Sequence, residues 1–166
     1  MDGTAKAVKM DSSEARKQIK DMIYDYAHCI DDDRLEEWPD FFTEDCLYKI
    51  ISRDDYERDM PAGFMTCTSR GMLQDRILSL RKANIYEPHC YRHLISAIRI
   101  RGGRNSVWSV QSSYAVIRTM QEGDIAVFSS GKFLDSIVEE NGELRFRERI
   151  VVCDSRRVDP LMVIPV

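Results

Sequence analysis

The chain of 166 residues is short of the residues that build special scaffolds: 5 Cys, 5 Pro, 8 Gly, 3 His and 2 Trp. The cysteines are odd in number and scattered at Cys29, Cys46, Cys67, Cys90 and Cys153. That excludes a disulfide framework and fits the reduced thiols of a cytoplasmic protein. Proline and glycine do not cluster, so no linker or low-complexity segment stands out. No apolar run approaches the roughly 18 residues that a membrane span needs. The opening residues Met1 to Lys6 are followed by no apolar stretch, so no secretory leader is expected. Excess positive charge is absent too, with 24 Lys+Arg against 28 Asp+Glu and a net charge of -4. A broad nucleic-acid face is therefore excluded.

What is present is the composition of a soluble globular domain, 43% hydrophobic and 31% charged. A chain of this size buries roughly 68–70% of its unfolded surface and needs no staple. Residues 1–11 are polar and aperiodic and read as a frayed tail, leaving 12–166 as one domain. Ser12 or Ser13 can cap a helix in which Ile19, Met22, Ile23, Tyr26, Ala27 and Ile30 recur at helical spacing. It ends near Asp31, Asp32 and Asp33. A second short helix carries Leu35, Trp38, Phe41 and Phe42, interrupted by Pro39. A strand is expected over 46–51, irregular chain over 53–68 and a third helix over about 69–83.

The second half changes period. Residues 90–101, 106–120, 124–138 and 143–153 read as four long strands rich in β-branched and aromatic residues. Turns are expected at Gly102-Gly103, at Gly123-Asp124 and at Asn141-Gly142, the last a type I′ hairpin signal. Residues 161–166 could add an edge strand. The expected architecture is α+β, with N-terminal helices packed on a strongly bent antiparallel sheet.

Few motifs carry chemistry. His89 and His93 are four apart with Cys90 between them. In a strand that spacing sets them about 13 Å apart, too far for one metal ion. Neither a Rieske ligand pattern nor a two-His-one-carboxylate iron motif is visible, so no metal or cofactor is expected in this chain. Nucleophile elbows and phosphate loops are missing as well. A pocket inside a bent sheet could hold an acid–base site, with Tyr24, Asp25, His28, Tyr48, His93 and Asp135 as candidates. The plainer reading makes them packing residues. Arg145, Arg147 and Arg149 alternate, which in a regular strand lines one face with arginine, opposite Leu144, Phe146 and Ile150. Val127 with Phe133, and Phe128 with Leu134, likewise suggest apolar character on both faces of a strand. A second chain is the natural cover for one of them.

Several segments together resemble a known family, the small (β) subunits of aromatic-ring-hydroxylating dioxygenases. They are the stretch from Asp33 to Tyr48 with Trp38, Phe41, Phe42 and Asp45; Met72 to Ile77 with Asp75 and Arg76; then Tyr86 and Arg92-His93. Val127 to Asp135, Arg147 to Ser155, and Asp159 to Leu161 follow in the same order. Within the family the chain is most similar to the small subunits of terephthalate, salicylate and aminobenzoate oxygenases, which act on aromatic carboxylates.

The resemblance implies a cystatin-like cone, the nuclear-transport-factor-two-like fold. It implies a large α subunit as partner, carrying a Rieske 2Fe-2S cluster and mononuclear iron, typically as three α plus three β subunits. This chain would be the noncatalytic part, a trimeric base beneath the α subunits. Electrons would reach the α subunit from a reductase, with or without a ferredoxin. Trp38, Arg76, Tyr86, Arg92, Arg147 and Arg149 would be interface or supporting residues. Two other readings compete: a free-standing cone enzyme, a dehydratase or isomerase using His93 with Asp25, Asp135 or Tyr48; and an association module with no enzyme partner.

Overall fold

A computed structural model describes residues 12–82, 86–104, 106–157 and 164–166. Helix α1 runs over Ser12–Asp31, a 3-10 turn over Trp38–Phe41, strand β1 over Phe42–Ser52, helix α2 over Arg53–Glu57 and strand β2 over Met65–Cys67. Helix α3 (Arg70–Lys82) follows, then strands β3 (His89–Arg104), β4 (Val107–Met120), β5 (Ile125–Glu140) and β6 (Glu143–Cys153). The expected tail at 1–11 lies outside the described residues, as does the first half of the expected last strand. Of that strand only 164–166 are described, and they are not in a strand.

The apolar stripe of α1 does what its spacing predicts: Ile19, Met22, Ile23, Tyr26, Ala27 and Ile30 are all buried. Arg16 clamps this helix to the sheet by donating to the Ile100 carbonyl at 2.8 Å. The second expected helix shrinks to the 3-10 turn, because Pro39 at its start removes a donor and Phe42 already enters β1.

The six strands form one open sheet in the order β2-β1-β6-β5-β4-β3. The last four make the expected antiparallel meander, and β2 is antiparallel to β1. The sheet is nevertheless mixed, because β1 runs parallel to β6. A parallel neighbour requires a long crossover, and the chain from α2 to β5 supplies it. The β5–β6 turn has Asn141 at φ 54° and Gly142 at φ 82°, the two positive values of a type I′ turn. The Gly102-Gly103 pair is not a loop. It lies within β3, where the ladder slips between Gly102 and Arg104.

Three further irregularities bend the meander. On β3, two residues separate the partners of Ser113 and Gln111, with Ala97 at φ 53°. On β5, Phe128 is the extra residue between the partners of Val116 and Ile117. On β6, Arg147 is the extra residue between the partners of Ser136 and Ile137. Each extra residue increases the local twist and reverses the inward and outward faces beyond it. Phe128 therefore joins Phe133 on the concave side, stacking on Tyr91, while Val127 is exposed. The arginine stripe is broken in the same way: Arg147 is exposed, and Arg149 turns inward beside Phe146.

Arg149 is fully buried and pairs bidentately with Asp135 on β5, both bonds 2.8 Å. Its guanidinium lies 4.1 Å from the Tyr26 ring, 4.2 Å from Phe133 and 4.0 Å from Phe146. Removing one member of such a pair strands a buried charge, whereas replacing both by apolar groups does not. Asp135→Ala should therefore destabilise the chain by about 3–5 kcal/mol in urea unfolding. The double change Asp135→Leu with Arg149→Met should recover most of that loss. A double variant as unstable as the single one would contradict this coupling.

Candidate functional site

In a cone of this kind the concave interior is the natural place for a site, so its lining decides what the chain can do. The deep end is an aromatic cluster: Trp38 meets Tyr48 edge-on at 5.1 Å and Phe42 at 5.6 Å, and Tyr26 meets Phe146 at 5.5 Å. Trp38, Tyr26, Tyr48, Phe42, Phe146 and Arg149 have essentially no solvent contact. Val166 is buried among them, and its main-chain oxygen accepts from the hydroxyls of Tyr26 and Tyr48, each at 2.9 Å. Burial pushes both phenols up, Tyr48 well above the ordinary range, so both stay neutral donors. Asp135 is no free base. Burial pushes its carboxyl above the usual carboxylate range, Arg149 opposes that push, and both its oxygens are held.

His93 sits on β3 with its side chain sealed, and its partner is Asp31, the last residue of α1. Nδ1 of His93 lies 2.6 Å from one carboxylate oxygen, and its backbone N–H donates to the other at 2.9 Å. This replaces the pairings of His93 with Asp25, Asp135 or Tyr48. Asp25 lies on the exposed side of α1, beside Asp21, Glu37 and Asp40 in a surface groove. Asp135 belongs to Arg149, and Tyr48 to Val166. In the sequence this partner is hidden, because Asp31 reads as the first of an acidic run closing the helix. A signal was available: it sits one turn after Ala27, on the buried stripe. Tyr24 and His28 are exposed and flank a groove of about 460 Å³ that Asp31 and His93 also line.

His89 and His93 do lie on one strand, but they have separate partners. His89 Nδ1 is 2.8 Å from the Glu87 carbonyl. Among the described residues no three His, Cys, Asp or Glu side chains gather as metal ligands would. Cys29 and Cys46 are also poor ligands, since burial pushes their thiols up to about 11, where the thiolate is scarce at neutral pH. Among the described residues no side-chain cluster fits an iron or iron–sulfur site.

The six residues expected to serve an interface separate into three groups. Trp38 and Arg149 are inside the chain's own core. Arg92 and Arg147 are exposed, and Arg76 and Tyr86 are half-buried. Large apolar side chains remain on the surface, among them Leu78, Leu94, Ile125 and Val127, the last two 70% exposed.

Comparison with known proteins decides the family. Residues 11–150 match the SnoaL-like domain family. The anthranilate 1,2-dioxygenase small subunit of Burkholderia cepacia is 40% identical over 141 residues, covering 85% of this chain and 88% of that one. A β subunit of the terephthalate 1,2-dioxygenase terminal oxygenase component from a Comamonas species is 44% identical over 140 residues, covering 84% and 91%. The chain belongs to the small (β) subunits of aromatic-ring-hydroxylating dioxygenases. A crystal structure of the β subunit of a candidate ring-hydroxylating dioxygenase from Novosphingobium aromaticivorans superposes with a TM-score of 0.86 at 37% identity, covering 93% and 99%. The fold of this β subunit is accordingly the α+β cone that the resemblance implied. No helix among its described residues is long and apolar enough to cross a membrane.

Asp31→Ala leaves two donors of His93 buried without an acceptor, at about 1–3 kcal/mol each. The β subunit should lose roughly that much stability in urea unfolding, and an unchanged midpoint would show that the pair contributes nothing. A second measurement reads the thiols. Iodoacetamide at pH 8 should label Cys90, the exposed cysteine, and spare the four buried ones. Raising the pH favours the thiolate, so Cys29 and Cys46 should begin to react only as pH nears 11 or the chain unfolds. Uniform labelling at pH 8 would overturn this.

Proposed function

We propose that this chain is the noncatalytic, structural subunit of an oxygenase acting on an aromatic carboxylate. The observation that carries the reading is the interior itself: the place where a free-standing cone enzyme would hold substrate is packed with the chain's own rings, an ion pair and Val166. The buried acid–base candidates are already engaged, Asp135 with Arg149 and His93 with Asp31. The named relatives act on anthranilate and terephthalate, which supports the aromatic-carboxylate class.

In this reading a large α subunit is the partner and holds the Rieske 2Fe-2S cluster and the mononuclear iron. Three β subunits form a base carrying three α subunits in the cytoplasm, and a reductase, with or without a ferredoxin, supplies electrons to α. Arg92 and Arg147 face outward and suit an interface, since a planar guanidinium pairs bidentately with carboxylates and is weakly hydrated. Arg76 on α3 and Tyr86 before β3 are half-buried and would add contacts of their own. Trp38 and Arg149 support it from within by fixing the sheet.

Co-expression with a large subunit of a ring-hydroxylating dioxygenase from the same source tests the proposal. The expected result is a coloured, iron-containing complex of near-equal stoichiometry, against a colourless chain alone. Failure to form a stable complex would overturn it. So would turnover by the chain alone with a bell-shaped pH profile that His93→Ala abolishes.

A further inference from the structure

The start of β5 is a sheet edge that the described residues leave without a partner. The ladder between β5 and β6 begins at Gly131 and Cys153, and a last bond runs from the Asp154 N–H to the Ser130 oxygen at 2.8 Å. Ile125 to Ser129 therefore lie against β4 on one side, with no strand among the described residues on the other. The hairpin fixes which groups face outward. The Met120 N–H donates to the Asp124 oxygen at 2.8 Å, so this pair, and next the pair of Arg118 with Ala126, hold the bonded positions of the ladder. Alternation then turns the N–H and C=O of Ile125 and Val127 away from β4, toward the open side. Their side chains are each 70% exposed, with Ile117 beside Val127.

A row of unpaired main-chain groups beside exposed apolar side chains is a template for one more strand. Among the described residues the chain has no second edge suited to supply it. Of the sheet's two outer strands, β3 is held by α1, since Asp31 takes the His93 N–H and Arg16 the Ile100 oxygen. The other, β2, has only 3 residues. Pairing β5 with β5 of a second copy would be a two-fold contact, which ends at a pair and builds no base of three. Charge narrows the occupant further. Glu122 and Asp124 border the edge at its turn, exposed and without an ion pair among the described residues. A strand laid here gains from apolar residues opposite Ile125 and Val127 and from a Lys or Arg near these carboxylates.

Given the large-subunit partner proposed above, on which this rests, we propose that β5 from Ile125 to Val127 is the docking edge for an extended segment of that subunit. The segment adds as a further strand, with alternate apolar residues over Ile125 and Val127 and a basic residue beside Glu122 and Asp124. Main-chain bonds give such a contact its affinity, and the alternating side chains give it specificity.

The test uses the full chain and its complex with the large subunit. Val127→Pro removes an outward N–H and spares the β4 ladder, the placement at which an edge strand tolerates proline. Alone, this variant should unfold in urea near the parent's midpoint. It should bind the large subunit at least about tenfold more weakly. Changing Glu122→Lys together with Asp124→Lys should weaken binding as well. Amide exchange gives an independent reading on the parent: the Ile125 and Val127 amides should exchange fast in the chain alone and at least about tenfold more slowly in the complex. A folded Val127→Pro chain that assembles like the parent would overturn the proposal and leave the large subunit as partner. Amides that stay fast in the complex would do the same. Should Val127→Pro fail to fold, the exchange measurement decides alone. A parent chain that binds no large subunit would overturn both this docking edge and the proposed partner. Amides already slow in the chain alone, and faster on dilution, would put a second copy on the edge and overturn the assignment.

Discussion

The buried pair of Asp135 and Arg149 is the constraint around which the rest of the cone is arranged. A guanidinium sealed from water is tolerable only if its charge is met at close range and its faces are covered by polarisable groups. Asp135 supplies the first from the neighbouring strand. Tyr26 from α1, Phe133 from β5 and Phe146 from β6 supply the second, at 4.0 to 4.2 Å. One side chain thus joins the helix layer to two strands of the sheet. It also fixes register: a slip of one residue between β5 and β6 would expose the charge on one strand or strand it unpaired on the other. The pair is weak evidence for stability in itself. Its role here is to make one alignment acceptable and its neighbours costly.

That same arginine marks the limit of what the sequence could convey. Period-2 counting places Arg145, Arg147 and Arg149 on one face, and it fails because β6 carries an extra residue at Arg147. The failure at Phe128 has the same origin on β5. A bulge adds no distinctive residue to the chain. It is set by the bend that a sheet needs to wrap a helix, a tertiary requirement invisible to a local window. Features governed by local chemistry were readable: the stripe of α1, the four long strands and the Asn141-Gly142 turn. The parallel pairing of β1 with β6 was not, since it joins segments some hundred residues apart. The collinear resemblance compensated for this, because it carries the whole topology at once and does not depend on face counting.

The candidate site was half legible for a related reason. The residue types were found, since His93, Asp135 and Tyr48 are rare polar groups in apolar surroundings. Their partners were not, because partnership in a cone is decided by which strand curls under which turn of the helix. Asp31 meets His93 only because α1 ends above the first third of β3. A carboxylate at a helix C-terminus is unfavourable for the helix dipole, and two donors from β3 offset that placement. The contact anchors the end of α1 as Arg16 anchors its beginning.

These arrangements bear on what the interior of a cone can be used for. An acid–base enzyme needs a buried titratable group with an unsatisfied side facing a space for substrate. Here the carboxylates are doubly bonded and the phenols hold a main-chain oxygen, so the polar inventory of an active site is converted into cross-links. What remains outward includes exposed Leu94, Ile125 and Val127 toward the end of the sheet that carries Arg92, with Arg147 exposed at the other end of β5 and β6. Apolar side chains interleaved with arginine are the composition of a protein interface. An interior rigidified by its own ion pair, with Leu94, Ile125 and Val127 exposed outside it, is suited to present a fixed surface to another chain.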